Sequence, residues 1–357
     1  MPPERPEEHP RRPRLTPAIA DARRAVREQL AGLAAGDLVL VALSGGPDSL
    51  ALAAATGFEA PRLGLRAGAV IVDHDLQPGS ARVAERAAES ARDLGLDPVL
   101  VRRVDVGAAG GPEAAARAAR YAALDAAAQA TGAVAVLLGH SLDDQAETVL
   151  LGLARGSGTA SLAGMAAVTG LYRRPLLGLR RAALAQACTD AGLEPWHDPH
   201  NEQGRFARVR VRRSILPMLE NDLDAGVTEA LARTAEIARE DSEALDAMVD
   251  EVAEELVELA EGGCSLPAAW LVANPAALRH RLIRLVARVE FGVALSRAQT
   301  LDVARLATDW RGQKGVHLPG IRVERAAGRI VFTAAAEPAE PHDEAPADPN
   351  SDMGRGD

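Results

Sequence analysis

Apolar positions fall into two patterns along the first half of the chain. Leu38 to Leu43 is apolar at every position, and so are Ala69 to Val72, Pro98 to Val101 and Val134 to Leu138. Unbroken short runs of this kind suit strands buried on both faces, as in a parallel sheet. Between them the pattern is helical. Pro17 to Ala35 carries Ile19, Val26, Leu30 and Leu33 on one stripe, and Leu50 to Ala55 follows Pro47. Gly79 to Leu94 and Glu113 to Ala130 are long, alanine-rich and charged. Strands alternating with helices predict a right-handed parallel sheet, an α/β first domain.

The second half reads differently. Asp222 to Glu261 predicts one long amphipathic helix, with Ile237, Leu245, Met248, Val252, Leu256 and Leu259 at helical spacing. A basic helix follows (Arg279, Arg281, Arg284, Arg288), then a helix from Ser296 to Ala307. Val316 to Leu318, Ile321 to Val323 and Arg329 to Phe332 predict short antiparallel strands around Pro319-Gly320 and Gly328. The expected partition is a disordered arm over 1–15, a first domain over 16–219 and an acidic helical connector over 220–262. A small α+β C-terminal domain over 263–333 and a disordered acidic tail over 334–357 complete it.

Charge changes the picture of partners. The net charge of −10 argues at first against nucleic acid. Yet Glu220 to Glu261 holds 15 acidic residues against two arginines, a net of −13, and Ala334 to Asp357 carries −6. The remainder is therefore at +9, compatible with a phosphate-rich partner. Aromatic residues are only 3%, too few for single-strand stacking platforms. Cys188 and Cys264 are the only cysteines and form no C-x-x-C pair, so a disulfide framework and a zinc site are not expected and a reducing cytoplasm is. No apolar run reaches membrane-spanning length and no signal-peptide core is visible, so no membrane partner is expected.

Candidate chemistry gathers where the strands end. After Leu43 comes Ser44-Gly45-Gly46-Pro47-Asp48-Ser49, a tight turn leading into a helix N-terminus. That geometry points backbone N–H groups at an anion, with the Ser44 and Ser49 hydroxyls as further donors and Asp48 as a candidate magnesium ligand. The lysine-bearing Walker loop is absent, and Lys314 is the one lysine in the chain. A glycine turn that merely joins strand to helix is the plain alternative. The second strand ends on Asp73-His74-Asp75 and the fourth on Gly139-His140-Ser141-Leu142-Asp143-Asp144, with Glu147 beyond. Open α/β sheets bind ligands at this edge. His140, Asp144 and Glu147 could share one helical face if helix begins near His140, whereas helix capping alone would account for Asp143 or Asp144. His74 and His140 could equally be loop residues.

Arginines recur further on. Arg155 lies in Arg155-Gly156-Ser157-Gly158, where Gly156 could simply cap a helix. Paired arginines flank a Pro turn at Arg173-Arg174-Pro175 and Arg180-Arg181. Arg205, Arg208, Arg210, Arg212 and Arg213 suit phosphate contacts, or a solvated basic face.

The S-G-G-P-D-S string resembles the pyrophosphate-binding loop of the N-type ATP pyrophosphatases. Together with V-D-H-D-L-Q-P-G-S, E-A-A-A-R-A-A-R-Y, G-H-S-L-D-D-Q-A-E-T, L-A-R-G-S-G, L-A-G-M, R-P-L-L, D-P-H-N and the later G-V-H-L-P-G-I-R-V-E-R, the chain resembles the bacterial tRNA(Ile)-lysidine synthetases from Ala18 to Phe332. Pro199-His200 before Asn201 and Val211 within the arginine run depart from the family pattern, and the larger C-terminal extension of some members is not expected. The resemblance implies a Rossmann-like parallel sheet of the adenine-nucleotide alpha-hydrolase type, followed by the helical connector and a small α+β C-terminal domain that binds tRNA. It implies a two-step reaction on isoleucine tRNA with a CAU anticodon, using ATP, Mg2+ and free L-lysine. ATP adenylates the wobble cytidine with loss of pyrophosphate; the lysine ε-amine then displaces AMP, leaving lysidine, which pairs with A.

Carried onto these residues, the resemblance assigns Ser44, Gly45, Gly46, Pro47, Asp48, Ser49, Asp73 and His74 to the nucleotide, and Asp48 and Asp144 to magnesium. Glu147, with Asp143 second, would attract the lysine ammonium. His140, Asp48, Asp144, Glu147 and Arg117 form the expected catalytic set, and Arg117 and Arg120 would touch the activated base or phosphates. Arg155, Arg205, Arg208 and Arg212 would hold the anticodon stem-loop. A homodimer is a further expectation. Other superfamily members, such as a tRNA thiolase or an amidotransferase-type synthetase, and a non-catalytic RNA-binding module are the competing readings; Cys188 and Cys264 lie outside the motifs a thiolase would need.

Overall fold

The structure, a computed structural model, describes residues 15–75, 79–107, 111–156, 158–196, 207–260 and 262–335. The chain forms two compact units, Met1–Glu240 and Asp241–Asp357. The first runs α1 (Pro17–Leu30), β1 (Leu38–Ala42), α2 (Pro47–Glu59), β2 (Arg66–Asp73), α3 (Ser80–Asp93) and β3 (Val99–Arg103). It continues with α4 (Pro112–Thr131), β4 (Ala135–Leu137), α5 (Leu142–Ala154), the short α6 (Thr159–Leu162), β5 (Val168–Thr169), β6 (Tyr172–Arg173) and α7 (Arg181–Asp190). Then come α8 (Ala207–Arg210), a π-helical turn (Val211–Ile215), α9 (Leu216–Asp222) and α10 (Val227–Leu256), which passes the boundary between the units.

The strand order is β3-β2-β1-β4-β6-β5, parallel except for the β5–β6 pair. The unbroken apolar run of β1 has a simple cause. Val39, Val41 and Leu43 pack into a core with α1, α2, α3 and α7, whereas Leu38, Leu40 and Ala42 pack against Leu124, Ala127 and Ala128 of α4. Side chains alternate across a strand, so a strand covered on both faces needs apolar residues at both parities. β1, flanked by β2 and β4, is thereby fixed at the centre, and its carboxyl end becomes the place where the loop to α2 opens.

The second unit contains β7 (Glu258–Ala260), β8 (Gly263–Pro267), α11 (Ala268–Ala273), α12 (Ala276–Phe291), α13 (Arg297–Thr308), β9 (Val316–Leu318), β10 (Ile321–Ala326) and β11 (Arg329–Ala334). Its antiparallel sheet has the order β7-β8-β11-β10-β9, and Leu266, Ile321, Val323, Ile330 and Phe332 bury one face against Leu282, Ile283 and Val286 of α12.

Several expected boundaries move. α1 ends at Leu30, because Ala31 leaves helical geometry and Gly32 takes a left-handed φ of 88°. The single acidic helix forms but is shorter at both ends: α9 ends at Asp222, α10 runs unbroken from Val227 to Leu256, and Leu259 lies in β7, paired with Cys264. Ile237 and Met248, expected on the apolar stripe, are exposed, and the buried positions of α10 include Ala235 and Val249 instead. The expected N-terminal arm, except Leu15, and almost all of the tail lie outside the described residues, as do His197 to Asn201 and Arg205. Among the described residues no helix is long and apolar enough to cross a membrane.

Candidate active site

Gly45 makes the turn after β1 with a φ of 82°, a conformation that side-chain-bearing residues rarely adopt. Gly46 is then the extended N-cap of α2, with Pro47 in the first turn. No side chain caps this helix, so its leading N–H groups keep the positive end of the helix dipole open. Ser49 has a different job from the one expected of it. Its hydroxyl accepts from the Ser44 N–H at 3.2 Å and donates to the Gly46 carbonyl at 3.0 Å, closing the loop on itself. The Ser44 hydroxyl stands 3.1 Å from it, and the Trp196 N–H donates to the Gly45 carbonyl at 2.9 Å.

Gly139 follows β4 and passes against the first turn of α2. A Cβ there would lie 3.1 Å from the Ser49 Cα and 3.2 Å from the Asp48 carbonyl carbon. That close approach delivers the next helix to the loop. α5 is capped by Ser141, whose N–H and hydroxyl both donate to Asp144 Oδ2 at 2.9 Å. Because helix begins at Leu142, His140 precedes it, and the single helical face expected for His140, Asp144 and Glu147 does not form. Asp144 and Glu147, one turn apart, remain together. Asp144 is thus both a capping residue and a member of the site, and the two readings of it are compatible.

The carboxylates converge on arginines. Arg181, at the start of α7, reaches Asp48 Oδ2 at 3.4 Å, Asp144 Oδ1 at 2.9 Å and Glu147 Oε1 at 3.3 Å. Arg212, on the π-helical turn, donates through Nε to Glu147 Oε1 at 2.7 Å and through Nη2 to Glu147 Oε2 and Asp144 Oδ1, each at 3.1 Å. Arg208 donates to Thr148 Oγ1 at 2.7 Å, while its buried Nε lies 3.3 Å from Glu147 Oε2 without hydrogen-bond geometry. Glu147 is fully buried. Asp143 points to the side, accepting the Arg181 N–H at 2.7 Å and lying 3.6 Å from the Arg180 Nε.

Burial pushes the Asp48 carboxyl up to about 6, with Asp144 adding to the shift and Arg181 and Arg212 opposing it. Burial also works against charge on Asp144, yet Arg181, the Ser141 N–H, Arg212 and the Ser141 hydroxyl together hold it below the ordinary carboxylate range. Asp48 Oδ1 is buried and accepts no hydrogen bond from the described residues. Among the described residues no cluster of three or more His, Cys, Asp or Glu could hold a metal unaided. Two carboxylates, one with an orphaned oxygen, suit Mg2+, which is commonly held by one or two protein carboxylates together with substrate phosphates.

Asp73, at the end of β2, is buried and accepts the Asp75 N–H at 3.0 Å. His74 and His140 each bury an Nδ1 without a hydrogen-bond partner among the described residues. Burial, followed by Arg120, lowers the His74 pKa. His140 falls to about 4, through burial and then Arg120, Arg174 and Arg117 against the opposing pull of Asp144. Both shifts favour the neutral imidazole, and both rings lie within the field of Arg120, which has no carboxylate partner among the described residues. Arg117 is exposed on α4 and rests on Tyr121, donating to its hydroxyl at 3.2 Å, apart from the carboxylate cluster. Arg155 is exposed at the C-cap of α5.

Three residues went unassigned in the sequence. Arg181 binds all three site carboxylates. Arg174 is buried near His140 and donates to the Ala166 carbonyl at 2.8 Å. Gln145 clamps Met165, donating to its carbonyl at 2.9 Å and accepting its N–H at 2.7 Å. The adjacent Arg180-Arg181 pair was the available signal for the first. Cys188 donates to the Pro47 carbonyl at 3.3 Å, directly behind the loop. Burial pushes its thiol to about 11 and that of Cys264 to about 12, so neither is poised as a thiolate.

Residues 20–219 match the family model of the PP-loop domain, and residues 266–331 that of the TilS substrate binding domain. A tRNA(Ile)-lysidine synthase of Leifsonia xyli subsp. xyli is 62% identical over 301 residues, covering 84% of this chain and 91% of the relative. That of Thermobifida fusca is 53% identical over 321 residues, covering 89% and 98%. Among solved structures, the U34-tRNA thiolase NcsA of Methanococcus maripaludis, determined with its [4Fe-4S] cluster, is similar in fold. Its TM-score is 0.53 at 19% identity, covering 62% of this chain and 80% of that one.

Proposed function

Because the chain belongs to the tRNA(Ile)-lysidine synthetase family of ATP-dependent tRNA-modifying ligases, we propose that it joins L-lysine to the wobble cytidine of isoleucine tRNA with a CAU anticodon. The reaction proceeds through an adenylated cytidine. The cytidine C2 oxygen attacks the α-phosphorus of ATP and pyrophosphate leaves; the lysine ε-nitrogen, having given up a proton, then attacks C2 and AMP leaves. The observation that carries this reading is the gathering of Asp48, Asp144 and Glu147 around Arg181 beside the uncapped N-terminus of α2.

Each chain element has a part that its chemistry suits. The amides of Gly45, Gly46 and the first turn of α2 hold the leaving pyrophosphate, where a positive helix end stabilises charge that builds in the transition state. Asp48 and Asp144 would hold Mg2+, which supplies charge neutralisation at the phosphates when bound. Glu147 receives the lysine ammonium and accepts its proton, and Asp143 borders that position. His140, neutral, His74 and Asp73 border the nucleotide. Arg117 and Arg120 contact the activated base or phosphates, and Arg155, Arg205, Arg208 and Arg212 hold the anticodon stem-loop.

In this reading the first sheet is Rossmann-like, of the adenine-nucleotide alpha-hydrolase type, and its loop opens at the carboxyl edge where such sheets bind ligands. Residues 16–219 are the catalytic domain, α10 carries the connector expected over 220–262, and the small tRNA-binding domain expected over 263–333 takes in β7 as an edge strand. The protein works in the cytoplasm. The deciding experiment incubates the CAU-anticodon transcript with ATP, Mg2+ and labelled lysine and analyses its nucleosides. Lysidine, formed with one AMP per turnover, is expected. A thionucleoside in the presence of a sulfur donor, or no change in mass, would refute the proposal.

A further inference from the structure

Glu147 is fully buried, and its two oxygens are taken by Arg212 at 2.7 and 3.1 Å, with Arg181 at 3.3 Å and Arg208 Nε at 3.3 Å. An ammonium cannot reach this carboxylate while the Arg212 fork grips both oxygens. Nor can it simply be added. Three guanidiniums already surround Asp144 and Glu147, and a fourth cation placed among them would meet like-charge repulsion from all three at short range. One guanidinium has to leave.

The structure favours Arg212 as the one that does. Arg181 is anchored at the head of α7 by its own N–H to Asp143 and reaches Asp48 as well. Arg212 lies on the π-helical turn Val211–Ile215, a kind of irregularity that tends to mark functional sites. That turn is pinned on either side of Arg212 by Val211 and Leu216, both packed on Ala146, so Arg212 can move without the segment losing its seat. Arg208, one turn earlier, already has a buried Nε without a hydrogen bond. Once released, a guanidinium this close to a basic run seeks an acceptor of matching geometry, and an RNA phosphate is one.

The geometry points to Arg212 as a switch shared by the two substrates: it closes the amine site in the free protein and moves to an RNA phosphate when lysine takes Glu147. Lysine and RNA then each favour the released position, so each tightens the other by the same factor. This inference rests on Glu147 being the carboxylate that receives the amine. Asp144 keeps Arg181 and the Ser141 donors throughout, so the helix start is undisturbed by the exchange.

The test measures dissociation constants of the full-length protein for labelled L-lysine with and without a CAU anticodon stem-loop, and for the stem-loop with and without lysine. Wild type should show about tenfold mutual tightening, equal in both directions. Arg212→Gln should bind lysine more tightly than wild type when RNA is absent, and its coupling factor should fall to about one. Arg212→Lys, whose point charge cannot grip both oxygens, should fall between the two and provides the test if the glutamine variant does not fold. Independent affinities in a wild type that still makes lysidine would overturn the switch and leave the ligase reading standing. Unchanged coupling in both variants would also overturn it. Absence of lysine binding and of lysidine in every form would remove the ligase reading itself, and the switch with it.

Discussion

Gly139 stands so close to Ser49 that a methyl group on the former would lie 3.1 Å from the Cα of the latter. Two parts of the chain far apart in sequence thus meet backbone to backbone, and this contact sets the position of α5 against the loop from Ser44 to Ser49. Gly139→Ala should push α5 away from Asp48. Overpacking of this kind costs about 1–3 kcal/mol. The variant should fold with a lowered melting temperature, yet lose AMP formation by a factor out of proportion to that loss of stability. Parallel thermal melts and AMP assays at a temperature well below the transition would check it.

Asp48 links stability to pH in a defined direction. Its carboxyl is raised in the folded protein from 3.8 to about 6 by burial. The folded state therefore holds the proton more tightly than the unfolded chain, and this contribution is full below about pH 4 and is lost as pH rises through about 6. The loss is on the order of 3 kcal/mol. Asp48→Asn, in metal-free buffer, should be more stable than wild type at pH 7, with the advantage shrinking towards pH 4, while AMP production is abolished. Denaturant titrations at the two pH values would show whether the difference has this sign.

Removing Arg181 should be among the more damaging single changes in the first unit. Arg181→Met would strip one cation from three carboxylates, two of them buried, and loss of one partner of a buried ion pair costs about 3–5 kcal/mol. Combined with Asp48→Asn, the loss should be less than additive, by about 0.5–3 kcal/mol, because one of the stranded charges is gone. Urea unfolding of the two single variants and the double variant would measure this; strict additivity would mean that Arg181 and Asp48 do not interact in solution.

The cysteines offer an inexpensive check. Both thiols are buried and raised, Cys188 behind Pro47 and Cys264 in the sheet of the second unit. Ellman's reagent at pH 8 should label neither in the native protein and both in urea. Rapid native labelling of one would show that its surroundings open readily.

How far the sequence discloses this arrangement depends on the range of each interaction. β1 and its loop are legible because every position from Leu38 to Leu43 is apolar and two glycines follow. Asp48, Asp144 and Glu147 stand out as carboxylates at strand ends and helix starts, positions where local chemistry narrows the choices. Arg181 does not stand out in this way, since its meaning lies in a contact to Asp48 across 133 residues that no periodicity announces. Leu259 misleads for the opposite reason: the helical spacing from Leu256 continues to it, but Gly262 permits a tight reversal and pairing with Cys264 outweighs local preference. β7 is only three residues long, and β8 sets Cys264 and Leu266 between Gly263, Ser265 and Pro267, so neither reads as a strand from pattern alone.

Asp144 divides its two oxygens between scaffold and candidate site: Oδ2 ties down the first turn of α5 while Oδ1 faces the arginines. A helix that frayed by one residue would therefore let go of a carboxylate of the candidate site at the same moment. Folding of that turn and readiness of the centre are a single event, so conditions that loosen the end of α5 should silence the protein long before they unfold it.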